Sequence, residues 1–182
     1  MSSPAASDGA PKSERKKRTI TDVRDSKRTG EKLVYMSVPD YTSARWAELA
    51  GVDVAVVGDS LAMVAHGHPN TIPATMDMMV MHSLAVRRGA PNTFVLGCMP
   101  YQSYNTVDRA LANATRFMQE AGCDAVKPQG GKSQAHILRA LVDVLDQKCD
   151  RRPGSHLLAA RVVNKDAGEN LHRVGLLPLG GE

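Results

Sequence analysis

Short apolar runs and longer amphipathic stretches alternate along the middle of this chain, and the alternation predicts strands followed by helices. The run at 33–37, Leu-Val-Tyr-Met-Ser, reads as a buried strand, and 41–50 follows as a helix ended by Gly51. Residues 52–57 are the next strand. Thr75 caps a helix over 76–88 whose last turn carries Arg87 and Arg88 before Gly89, an order that the helix dipole favours. A third strand is expected at 93–96, Thr106 caps a helix over 107–121 stopped by Gly122, and 125–126 leads a fourth strand into Lys127. Ser133 opens a further helix to about residue 147. Ahead of these units, Thr19 or Thr21 caps a short helix that Gly30 stops.

Four strands, each followed by a helix of suitable length, imply parallel βα units with right-handed crossovers. Periodicity alone leaves a doubly wound sheet and part of a barrel open. Polar residues fall at the strand ends, at Asp40, Asp59 with Ser60, Cys98 and Lys127, and no Gly-x-Gly-x-x-Gly loop follows the first strand. That placement favours the barrel, whose chemistry sits at the C-terminal ends of its strands. The chain has 182 residues, short of the roughly 200 to 250 of a complete eight-unit barrel. The expected fold is therefore α/β, an incomplete (β/α)8 TIM barrel of about four βα units. A disordered basic arm at 1–18 precedes a barrel domain at 19–150, and an irregular tail, 151–182, follows it.

Composition adds limits. The net charge of +4 is concentrated between Lys12 and Lys27, without the interleaved aromatics that a stacking platform needs, so nucleic acid is not an expected partner. Cys98, Cys123 and Cys149 form no Cys-x-x-Cys pair and read as reduced thiols. No apolar run reaches the roughly 18 residues of a membrane span, and the first residues lack the apolar core of a secretory signal. A cytoplasmic location away from membranes is expected. Met76, Met78, Met79 and Met81 lie within one predicted helix and read as core packing, with His82 beside them as a packed or hydrogen-bonded histidine. His68 lies in the long loop after Asp59.

Asp40-Tyr41, Val57-Gly58-Asp59-Ser60-Leu61, Gly67-His68, Thr71-Ile72-Pro73, His82, the run from Val86 to Asn92, Met99-Pro100-Tyr101 and Val126-Lys127 occur in this order and spacing. Together they resemble the ketopantoate (3-methyl-2-oxobutanoate) hydroxymethyltransferase family over roughly 32–147. The resemblance implies a TIM barrel that forms homo-oligomers and binds Mg²⁺. It also implies a one-carbon transfer of pantothenate biosynthesis, from 5,10-methylenetetrahydrofolate to 3-methyl-2-oxobutanoate, giving 2-dehydropantoate. In the family a metal-held enolate of this small 2-oxo acid attacks the methylene group. Carried over by position, Asp59 is a metal-linked carboxylate, Ser60 contacts the substrate carboxylate, and Lys127 binds substrate and balances enolate charge.

Departures from the pattern are as informative as the matches. Cys98 stands where the family has an Asp, Gln129 where it has a Glu, and Pro39 where an aromatic residue usually precedes Asp40. Both altered ligand positions weaken the expected hold on Mg²⁺, since a thiolate is too soft for it and an amide carries no charge. A softer ion such as Zn²⁺, held by Asp59, Cys98 and His68, is the alternative metal expectation. No catalytic base is identified, because the family's Glu comes from a later strand; only a faint echo of the next family segment occurs at 172–178. The competing functional expectation is a truncated, catalytically impaired pseudoenzyme that associates with itself or with a full-length homologue. A metal-dependent lyase acting on a related 2-oxo acid is a third reading.

Overall fold

The computed structural model describes residues 16–149. The expected arm before residue 16, and the tail with its echo at 172–178, lie outside the described residues. The elements are α1 (Ile20–Thr29), β1 (Tyr35–Ser37), α2 (Tyr41–Leu49), β2 (Val54–Val57), α3 (Leu61–Val64), α4 (Met76–Gly89), β3 (Phe94–Cys98), α5 (Val107–Gln119), β4 (Ala125–Lys127), a 3-10 turn (Lys132–Gln134) and α6 (Ala135–Cys149).

Local chemistry accounts for most helix starts. The hydroxyls of Thr75 and Thr106 accept from the main-chain N–H groups of Met78 and Arg109 at 3.2 and 3.3 Å. Thr19 with Asp22, and Asp40 with Ser43, form reciprocal capping boxes on α1 and α2. Asp40, read from the sequence as a strand-end functional group, is thus a helix cap; its carboxylate accepts from the Ser43 N–H at 2.8 Å.

The sheet runs β1-β2-β3-β4 in sequence order, with every pair parallel. Successive helices pack on one another, α2 on α4, α4 on α5 and α5 on α6. A sheet whose strand order never reverses, with its crossover helices in one continuous layer, is a partial (β/α)8 barrel rather than a doubly wound sheet. The main core lies between the helix layer and the sheet and includes Val57, Leu61, Met79, Val86, Val95, Phe117, Val126 and Leu141. A second cluster on the other sheet face joins Val23 of α1 to Val54, Phe94 and Ala125, the first residues of β2, β3 and β4. Helix α1 therefore covers the N-terminal end of the inner sheet face.

That end is also clamped by charge. Asp53 accepts from Arg18 at 3.2 Å and from the Val34 N–H at 2.9 Å. Asp124, just before β4, accepts from Arg87 and from the Val95 N–H, and pairs with Lys17 at 2.5 Å. Lys17 and Arg18, read from the sequence as the end of a solvated arm, instead hold α1 and its lead-in against the sheet.

Three further expectations are corrected. Strand β1 is not buried: Tyr35, Met36 and Ser37 are all exposed, because β1 is an edge strand paired only with β2 among the described strands. The stretch after Asp59 begins not as a loop but as the single-turn helix α3, with Leu61 and Ala62 buried in the main core. Met76, Met78 and Met79 pack in the core as expected, whereas Met81 points to solvent.

Candidate functional site

Parallel pairing brings the C-terminal strand ends together. Cys98, the last residue of β3, is the Cα partner of Lys127, the last residue of β4, and Val57 at the end of β2 pairs with Gly97. Side chains alternate across a strand. Gly97 faces α5, where an added Cβ would stand 2.6 Å from the Phe117 ring, so Cys98 and Lys127 share the opposite face.

Cys98 is fully buried. Burial pushes its thiol up from the ordinary value, against the opposing pull of a hydrogen bond from Lys127 and another from the Asp59 main chain. These contacts place Asp59, Cys98 and Lys127 in one cluster. Tyr104, in the segment between β3 and α5, joins it: burial raises its phenol, which takes a backbone hydrogen bond from Gln129 and feels the charge of Asp59. Gln129 itself is exposed.

Ser60 lies half-buried at the start of α3, and its hydroxyl makes no cap bond to that helix. A Cβ on Gly58 would lie 3.0 Å from the Ser60 hydroxyl oxygen and 3.8 Å from that of Ser37 at the end of β1. The two hydroxyls therefore flank a notch that any larger residue at 58 would fill.

Of the residues that sequence reasoning nominated, Lys127 and the Asp59 main chain converge on Cys98, with Ser60 next to Asp59 in the chain and the Gln129 main chain against Tyr104. Tyr104 and Ser37 were missed. A tyrosine in the segment after a strand's C-terminal end was the available signal for the first. Ser37 had none, because the expected strand continued through it as an apolar run. His68 is exposed and stacks beside His66 with ring centroids 6.5 Å apart. His82 is hydrogen-bonded as expected, its Nδ1 donating to the Pro39 carbonyl at 2.5 Å and its Nε2 lying 2.9 Å from that of His66.

The donor set does not fit Mg²⁺, which takes oxygen ligands and favours carboxylates. Among the clustered residues only Asp59 offers a carboxylate; Cys98 offers a buried thiol and Gln129 an exposed amide. No three His, Cys, Asp or Glu side chains among the described residues converge to hold a metal, and this also removes the expected softer-metal set of Asp59, Cys98 and His68.

The sequence model of ketopantoate hydroxymethyltransferase matches residues 17–145. This chain belongs to that family. The 3-methyl-2-oxobutanoate hydroxymethyltransferase 1 of Methylibium petroleiphilum is 85% identical over 130 residues, which cover 71% of this chain and 44% of the relative. A Thermus thermophilus enzyme named 3-methyl-2-oxobutanoate hydroxymethyltransferase is 51% identical over 126 residues, 69% of this chain and 48% of its own length. The chain thus spans under half the length of these family relatives.

Solved structures agree on the fold. A 2,3-dimethylmalate lyase of the PEP mutase/isocitrate lyase superfamily superposes with a TM-score of 0.60 at 18% identity, over 79% of this chain and 52% of its own. A phosphonopyruvate hydrolase complex with oxalate and Mg²⁺ gives 0.58 at 13% identity, over 77% and 50%. At such identities the likeness concerns the barrel alone. No helix among the described residues is long and apolar enough to cross a membrane.

Proposed function

We propose that this chain carries the substrate-anchoring end of a hydroxymethyltransferase site, which takes a small 2-oxo acid, 3-methyl-2-oxobutanoate, toward 2-dehydropantoate with 5,10-methylenetetrahydrofolate as the one-carbon donor. The observation that carries the reading is the convergence of Lys127 and the Asp59 main chain on Cys98 at the C-terminal strand ends of a family member. Transfer of a proton from carbon 3 of the acid to a base in the solvent leaves an enolate, with negative charge on the former keto oxygen. A fixed ammonium beside that oxygen stabilises the charge as it develops. Lys127 supplies a cation at this sheet end, and the notch between Ser37 and Ser60 offers hydroxyl donors to the substrate carboxylate. Since the donor set does not suit Mg²⁺, no step is assigned to a metal, and no base is assigned among the described residues.

The test is hydrogen exchange. The purified chain is incubated with 3-methyl-2-oxobutanoate in deuterated water without folate, with and without Mg²⁺. Deuterium should enter at the 3-position, and Lys127→Met should slow that entry about 100-fold, the usual cost of losing one oxyanion donor. No exchange by the unaltered chain would sink the enzyme reading.

Cys98 and Gln129, each in place of a family carboxylate, support a second reading, in which the chain is catalytically impaired and acts by associating with itself or with a full-length homologue. Co-elution of tagged and full-length chains would support it.

A further inference from the structure

The cluster at the strand ends is balanced in charge without a metal. Asp59 contributes one negative charge and Lys127 one positive. Cys98 is a thiol whose ordinary value of 9.0 already leaves it neutral at pH 7, and Tyr104 and Gln129 are uncharged. A dication entering here would meet one carboxylate and, beside it, a like-charged ammonium. Carboxylates at 98 and 129 would change the sum to minus two, the charge that one Mg²⁺ neutralises. Geometry points the same way: the strand register sets Lys127 beside Cys98, and its ammonium carries three donors, enough to serve the carboxylate and keto oxygens of a 2-oxo acid.

We infer that the site of this chain works without a divalent cation, because Cys98 and Gln129 have removed the charge that would hold one and Lys127 supplies the cation in its place. The inference rests on the proposed function only for the identity of the anion.

Two measurements on the full chain test it. In the first, Mn²⁺ alone is titrated and the free ion is read by electron paramagnetic resonance. The unaltered chain should leave the free-ion signal undiminished. Gln129→Glu, at an exposed position that should not disturb folding, should gain about tenfold in Mn²⁺ affinity, and the pair Cys98→Asp with Gln129→Glu should gain more. In the second, binding of 3-methyl-2-oxobutanoate is followed by calorimetry in EDTA and in Mg²⁺. Affinity should be the same in both, and Lys127→Met should weaken it about tenfold.

Stoichiometric Mn²⁺ binding by the unaltered chain, as tight as that of the double variant, would overturn the inference even if the acid binds. A requirement for Mg²⁺ in acid binding would overturn it equally. If the acid binds in neither buffer while only the carboxylate variants take Mn²⁺, the proposed substrate fails and the loss of the metal site stands.

Discussion

Gly97 and Gly89 show how single positions fix the packing. A methyl on Gly97 would press on the Phe117 ring and on the Cys123 sulfur, 3.3 Å away, at a point where both are buried. One on Gly89 would meet the main-chain carbonyl of Tyr41, which cannot swing aside as a side chain could. Alanine is the better helix former by about 1 kcal/mol, yet overpacking typically costs about 1 to 3, so the clash should win. Gly89→Ala should lower the melting temperature by several degrees, as calorimetry would show. Asp22 sets an acid limit. The Thr19 main-chain N–H, and then its hydroxyl, hold the Asp22 carboxyl below its ordinary value of 3.8. A depressed folded-state value means that the stabilisation is complete above the ordinary value and drains away as pH falls through the folded one. Asp22→Asn should therefore flatten the fall of melting temperature below about pH 4. Cys123 is the opposite case: burial pushes its thiol up to about 12. It should react with thiol reagents at pH 8 only as fast as the chain unfolds, a rate that denaturant would raise.

Strands and helices depend on a few residues that tie them together, and Arg87 at the end of α4 is the clearest. Its guanidinium donates to the carbonyls of Gly122, Ala90, Pro91 and Thr93 at 3.0 to 3.1 Å and to the Asp124 carboxylate. One side chain thereby joins α4 to the entries of β3 and β4. Arg87→Met keeps the stem and removes the donors, and should cost about 2 to 3 kcal/mol in chemical denaturation. The sequence suggested Arg87 as a partner of its own helix dipole, but its cross-element role depends on a register that no local pattern contains. The same distinction runs through the other elements. Thr75, Thr106 and Gly122 announce their helix ends through local chemistry and were legible. Helix α3 was not, since four residues are too few to show a period. Strand β1 misled because an apolar run looks alike on an edge and in a sheet centre. In the site, Asp59, Ser60 and Lys127 could be read from strand ends and family motifs, while Tyr104 arrives through the course of the segment after β3.

For the molecule as a whole, the apolar surface is informative. Tyr35 and Met36 on the β1 edge are 49% and 42% exposed, and Trp46 and Leu49 on α2 are 67% and 78% exposed. An exposed parallel edge with apolar side chains invites pairing with another chain. Size-exclusion chromatography with light scattering should show concentration-dependent association, and Tyr35→Lys with Met36→Glu should reduce it; a compact monomer at all concentrations would contradict this expectation. Topology was legible at this scale because strand and helix alternate without interruption, and the sequence-order sheet confirms the barrel over the doubly wound alternative.

The pairing of Cys98 with Lys127 bears on how such a site can change over time. Main-chain groups alone make the rungs between β3 and β4, and they are indifferent to the side chains they carry. Aspartate or cysteine at 98 is delivered to the same point beside the same lysine. The scaffold is thus a mount into which different donors can be fitted one at a time, and a new reactivity can be tried there without rebuilding the wall that holds it.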